Sequence, residues 1–109
     1  MSIFVNVIKS YRDVVAVCDS DLLGKRFEEQ FPNEEVIRQL DVKENFYKGQ
    51  EGKEVSEEEL ADIFKSYIRE DATFNIVGEK SVKAALEAGI ASENAVGKVQ
   101  DIPFILVLL

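Results

Sequence analysis

The chain has 109 residues, 46% of them hydrophobic and 31% charged, the balance of one globular domain over residues 1–109 and not of a disordered segment. It contains no histidine, which excludes Ser-His-Asp and Cys-His catalysis, histidine-ligated zinc and histidine pH switches. The formal net charge of −8 argues against broad nonspecific nucleic-acid binding, which relies on Lys and Arg neutralising phosphates, and leaves only a local basic face open to that role.

The opening residues Met1-Ser2-Ile3-Phe4-Val5 carry no basic segment and no small-residue cleavage site, so no signal peptide is expected. Ile3 to Lys9 alternates, with Ile3, Val5 and Val7 on one face and Phe4, Asn6 and Ile8 on the other. Val14 to Cys18 is almost wholly apolar, and the polar break Ser10-Tyr11-Arg12-Asp13 predicts a β-hairpin whose second strand is central in its sheet. Cys18 is the single cysteine, so no intramolecular disulfide and no cysteine cluster for zinc or iron–sulfur can form, and a free buried thiol fits a reducing cytoplasm.

Asp19-Ser20-Asp21 ends that strand with turn-forming side chains. Leu22 to Phe31 reads as a short helix broken at Gly24 or as an extended loop, and Phe31-Pro32-Asn33 as a turn. Val36 to Val42 predicts a third strand, and Lys43 to Val55 the longest loop, pinned to the core by Phe46 and Tyr47. The acidity belongs to this middle stretch, since Glu34 to Asp62 holds ten acidic and four basic residues.

Ser56-Glu57-Glu58-Glu59 is a capping box opening a helix from Glu57 to about Glu70, with Leu60, Ile63, Phe64, Tyr67 and Ile68 in one apolar stripe. Thr73 to Val77 predicts a short strand ending at Gly78, and Glu79 to Ala88 a second helix stopped by Gly89. Ser92 caps a short third helix through Val96, closed by Gly97. Pro103 to Leu109 reads as a terminal strand, apolar on both faces, that belongs inside the sheet. It is too short for the roughly 20 residues of a membrane span, so no membrane partner is expected. The fold class is α+β: a single mixed β-sheet, with an N-terminal hairpin and a buried C-terminal strand, packed by two main helices.

Four groups of residues could carry chemistry. Asp19 and Asp21 follow a buried strand, where paired carboxylates can hold Mg²⁺ or supply a nucleophile; the ordinary reading is a turn and a helix cap. Gly78-Glu79-Lys80-Ser81 stands at a strand-to-helix junction whose free amides can bind phosphate, with Lys80 and Ser81 assisting; the ordinary reading is a tight junction that needs glycine. Asn75, inside an apolar strand, either orders the neighbouring turn or binds a ligand amide. Lys25, Arg26, Lys43 and Lys48 on loops around Phe46 and Tyr47 could grip single-stranded RNA, against the simpler reading of solvated charge.

The segments Ala16-Val17-Cys18-Asp19, Leu22-Leu23-Gly24-Lys25, Phe46-Tyr47-Lys48-Gly49 and Ala72-Thr73-Phe74-Asn75-Ile76-Val77-Gly78-Glu79, with the late Ile102-Pro103, together resemble the archaeal domain-of-unknown-function 424 family. The resemblance implies a small single-domain cytoplasmic protein without an established activity, loosely associated with archaeal translation genes. The segments that carry the resemblance are junctions, and the polar and glycine content of the Asp19–Lys25 turn, the Phe46–Gly49 loop and the Asn75–Glu79 turn predicts that they form one surface at a common edge of the sheet.

The expected function is a non-catalytic binding or accessory module in a translation or ribonucleoprotein setting. It would present Lys25, Phe46, Tyr47, Lys48, Asn75, Gly78, Glu79 and neighbouring residues to a protein or ribonucleoprotein partner. The alternatives are a small Mg²⁺-dependent or phosphate-ligand enzyme using Asp19, Asp21, Lys25 and Lys80, and a structural subunit of an oligomer. No catalytic residue, resident metal or cofactor is assigned, and the oligomeric state stays open.

Overall fold

The alternating segment Ile3–Ile8 (β1) and the apolar segment Val14–Asp19 (β2) pair antiparallel, Val5 opposite Val17 and Ile8 opposite Val14, which closes the expected hairpin. The computed structural model describes residues 2–30, 32 and 37–108. After β2 come strands Arg26–Gln30 (β3) and Ile37–Asp41 (β4), a one-turn helix Glu44–Tyr47 (α1), strand Lys53–Val55 (β5) and helix Glu57–Ile68 (α2). Strand Thr73–Val77 (β6), helix Glu79–Glu87 (α3) and strands Gly97–Val99 (β7) and Ile102–Val107 (β8) complete the chain. The main sheet has six strands in the order β5-β1-β2-β6-β8-β7. It is mixed because β2 and β6 run parallel, Cys18 level with Val77, while its other pairs run antiparallel.

One face of this sheet is covered by the two long helices. Helix α2 begins at the predicted capping box: the Ser56 hydroxyl accepts from the Glu59 amide at 3.1 Å, and a Glu59 carboxylate oxygen accepts from the Ser56 amide at 3.4 Å. Its stripe buries Leu60 and Phe64 completely, with Ile63 and Tyr67 half-buried and Ile68 exposed at the end. These side chains meet Ile3, Val5, Val15, Val17, Phe74, Ile76 and Ile105 from the sheet and Val82 and Ala85 from α3. Phe64 and Phe74 meet edge to face, ring centres 5.9 Å apart. Among the described residues no helix is long and apolar enough to cross a membrane.

Among the described residues, the opposite face is covered only at one end. Beside the main sheet, β3 and β4 form a two-stranded antiparallel ribbon, Phe27 opposite Leu40. The ribbon and α1 lay Leu40, Val42, Phe46 and Tyr47 over Phe4, Cys18, Val77 and Phe104. Gln100, in the β7–β8 turn, ties the ribbon down: its amide donates to a Glu29 carboxylate oxygen at 2.8 Å, and its side-chain amide donates to the Glu28 carbonyl at 2.6 Å.

The third strand expected from Val36 is thus one half of a separate ribbon, and its partner β3 lies where a broken helix or loop was expected. Phe31, Asn33, Val36 and Leu109, on which parts of the expected turn and strands fall, lie outside the described residues. The terminal strand β8 sits inside the sheet between β6 and β7; Ile105 is buried on the helix face, whereas Leu106 on the other face is 52% exposed. Replacing Phe64 with Ala empties the centre of the helix-side core and should cost about 3–5 kcal/mol of unfolding free energy, read as a fall in the urea midpoint at unchanged slope.

Candidate functional site

The parallel register of β2 and β6 brings Asp19 level with Gly78 at the start of α3. Gly78 has no side chain to cap the helix, and the Asp19 carboxylate takes that role from the neighbouring strand. One oxygen accepts from the Ser81 amide at 2.9 Å and the Ser81 hydroxyl at 2.7 Å; the other accepts from the Lys80 amide at 3.1 Å. Asp19 is 8% exposed and Ser81 fully buried. The amides and dipole of the α3 N-terminus, which could have held a phosphate, are therefore satisfied by the chain's own carboxylate. Gly78 is required twice over: its φ is +111°, and a Cβ there would lie 2.3 Å from the Asp19 carboxyl carbon.

The other members of that group do not join it. Asp21 lies in the 3-10 turn Ser20–Leu22 and is exposed. Lys80 gives Asp19 only its backbone amide, while its side chain lines a groove between α2 and α3. Lys25 is exposed at the root of the ribbon, where its carbonyl accepts from the Val42 amide at 2.9 Å. Glu79 is exposed on the first turn of α3. Among the described residues no group of three or more Asp, Glu or Cys residues is placed to hold a metal ion.

The basic loop residues are likewise dispersed. Arg26 pairs with Glu28 at 2.7 Å, and the Lys48 ammonium lies 5.4 Å from the centre of the Phe4 ring. Phe46 and Tyr47 pin their segment to the core, as expected, with rings edge to face at 5.0 Å. Asn6, which sequence reasoning passed over, fastens the same segment. It is 8% exposed on β1, and its side-chain amide donates to the Phe46 carbonyl at 2.7 Å. The signal was available, since Asn6, like Asn75, interrupts an otherwise apolar strand face.

Tyr47 and Asn75 do come together. With Leu40, Ile76, Val77, Phe104, Ile105 and Leu106 they line a cleft of about 160 Å³ where the cover of the second face stops. Gly97 helps to shape it, because the Phe104 ring lies across the glycine where a Cβ would sit 2.6 Å from the ring. Tyr47 is 7% exposed, yet among the described residues neither its hydroxyl nor the Asn75 side-chain amide has a hydrogen-bond partner. Among the described residues no fully enclosed side-chain polar atom is left unpaired, so both groups keep some contact with solvent. Burial, with Cys18 and Asp41 nearby, pushes the Tyr47 hydroxyl up to about 12, which keeps it a neutral donor and acceptor. Burial, followed by the Asp19 and Asp21 carboxylates, pushes the Cys18 thiol up to about 12 as well, the state of an inert core thiol.

The junctions expected to share one edge thus form two places: the Asp19–Gly78–Ser81 cap and the Tyr47–Asn75 cleft. Comparison with known proteins agrees with this architecture. The family model described as "Protein of unknown function (DUF424)" matches residues 8–108. A crystal structure of an uncharacterized conserved protein from Methanopyrus kandleri is similar over 98% of this chain and 90% of that one, with a TM-score of 0.75 and 26% identity. No curated protein matches.

Removing the cap by Asp19→Ala should cost about 2 kcal/mol, and Gly78→Ala at least as much, both measured by urea unfolding. The stability held by the neutral Cys18 and Tyr47 is present below their ordinary values of 9.0 and 10.0 and is lost as pH rises toward about 12. The urea midpoint should therefore fall from pH 9 upward, and Cys18→Ala should move the onset of that fall to about pH 10.

Proposed function

We propose, for a chain that belongs to the DUF424 family of proteins of unknown function, that it is a non-catalytic binding module whose cleft receives one side chain of a partner protein in a translation or ribonucleoprotein setting. The observation that carries the proposal is the pair of unsatisfied polar groups, the Tyr47 hydroxyl and the Asn75 amide, in an otherwise apolar cleft. A nearly buried polar group without a partner costs stability, and a ligand that supplies the missing hydrogen bonds removes that cost on binding. A cavity of about 160 Å³ is well below the roughly 300–1,000 Å³ of pockets for whole small molecules, and suits one inserted group. An amide or hydroxyl side chain can meet both polar ends at once.

Two further features support a binding role over phosphate or Mg²⁺ chemistry. Asp19, Ser81 and the Lys80 amide are occupied with one another, while the Lys80 side chain lies in the α2–α3 groove and Asp21 stands apart. The net charge of −8, with Arg26 and Lys48 engaged inside the chain, favours a protein surface over exposed RNA as the thing gripped. The ribonucleoprotein setting rests on the family resemblance alone.

Affinity purification from extract of the source organism, with ribosomal particles sedimented at physiological salt, tests this reading. The wild-type protein should recover a defined protein partner. Tyr47→Phe, which removes a hydroxyl without a partner in the chain, should leave the urea midpoint unchanged or raise it while lowering partner affinity about tenfold, the equivalent of one hydrogen bond of ~1.4 kcal/mol. Absence of the wild type from every particle and partner, or equal recovery with Tyr47→Phe and Asn75→Ala, would refute it.

A further inference from the structure

Asn75 has no partner to find within the sheet. Its neighbours across the strands are Ala16 of β2 and Leu106 of β8, and neither side chain can donate or accept a hydrogen bond. Asn6 shows the contrast: it stands two strands away in the same row and reaches the Phe46 carbonyl at 2.7 Å. Tyr47 lines the same cleft as Asn75, is 7% exposed, and likewise has no hydrogen-bond partner among the described residues. Among the described residues, none that lines the cleft carries a charge. The walls around the two polar groups are apolar, with Leu40, Phe104 and Leu106 prominent. The Asp41 carboxylate acts on Tyr47 from outside the cleft lining.

We propose that the cleft selects an uncharged primary amide, the head of an asparagine or glutamine side chain of the partner. This rests on the binding reading above and adds the chemistry of the inserted group. The choice follows from what each polar group lacks. A side-chain amide presents its N–H donor and its carbonyl acceptor side by side in one plane, and a second amide turned to face it matches both. Such a pair uses one N–H and one oxygen lone pair from each amide. The incoming amide therefore keeps a further N–H and lone pair for the Tyr47 hydroxyl, which stays neutral up to about pH 12 and can donate or accept. A hydroxyl ligand meets either the Asn75 carbonyl or its N–H and leaves the other unmet. A carboxylate has no donor for the Asn75 oxygen, loses its hydration against apolar walls, and comes near Asp41 on a chain of net charge −8. An ammonium has no acceptor for the Asn75 N–H, and the cleft lining offers it no counter-charge. A wholly apolar group would cover both polar groups with their hydrogen bonds unmade. A site built to hydrogen-bond its ligand rejects analogues that lack the matching groups more strongly than shape alone does.

Small compounds of matched size test this chemistry without the partner. Butyramide, butyrate, butylammonium and 1-butanol are titrated into the ¹⁵N-labelled protein, followed through the Asn75 side-chain amide and the Phe104 and Leu106 backbone amides. Butyramide should give saturable shifts with a Kd of roughly 10–100 mM, the range of so small a ligand, and the other three should bind at least about tenfold more weakly. Asn75→Asp keeps the shape and replaces the amide's donors with a carboxylate. That variant, shown to be folded by its urea transition, should lose butyramide and bind the forked cation butyramidinium instead, read from the Leu106 amide. Absence of a saturable shift with butyramide up to about 0.5 M, or equal binding of any of the other three compounds, overturns the proposal. So does an Asn75→Asp protein that keeps the wild-type preference. The binding reading fails separately: a partner recovered through Tyr47 by a cleft without amide preference sinks the chemistry alone, and an amide-selective cleft that recovers no partner sinks the partner reading alone.

Discussion

The contact between the Asp19 carboxylate and the first turn of α3 holds together parts of the chain that are 62 residues apart. It joins the end of the central strand β2 to the strand–helix unit that follows it in space, so the parallel pair β2–β6 and the helix above it are set in one geometry. Three hydrogen bonds to a carboxylate, two of them from amides at the positive end of a helix, are strong for their number because one partner is charged. The same contact has a functional consequence. The place where a phosphate would bind is filled from within, and the junction becomes part of the frame.

With α3 held in this way, the two faces of the sheet differ in kind. The helix face is packed from end to end by α2 and α3. Among the described residues, the other face has only a one-turn helix and a two-stranded ribbon to cover it, enough for the row Phe4, Cys18, Val77 and Phe104. One residue pair along the strands, the row Asn6, Ala16, Asn75 and Leu106 meets the limit of that cover. Asn6 reaches the Phe46 carbonyl and is satisfied by it; Asn75, two strands away, is not. The cleft follows from a cover that is shorter than the sheet beneath it, and Tyr47 is held at its edge by the segment that Asn6 fastens.

What could be read from residue order is what depends on neighbouring residues. The hairpin, the capping box at Ser56 and the strand–Gly78–helix junction carry local signals, and the structure has them where they were expected. The ribbon strand Arg26–Gln30 was hidden because Phe27 is its only apolar residue, and pairing with β4 rather than burial makes it a strand. The β7–β8 turn was hidden because Gln100 and Asp101 adopt φ of +50° and +64° without a glycine, in a turn to which Glu29 is hydrogen-bonded from the ribbon. Asp19 was legible as a capping residue, but the helix it caps is a tertiary neighbour that spacing along the chain cannot reveal. Of the candidate site, Tyr47 and Asn75 were singled out separately, and their apolar walls Leu40, Phe104 and Leu106 come from two strands, β4 and β8, that meet only in the fold.

The central claim is that the α3 N-terminus is a closed structural contact and that binding belongs elsewhere on the molecule. Titration of the ¹⁵N-labelled protein with inorganic phosphate, followed through the amide signals of Lys80 and Ser81, tests it most directly. These amides should show no saturable shift, because Asp19 already holds them. A saturable shift of both signals at millimolar phosphate would mean that the carboxylate yields its place to an anion, and would contradict the account.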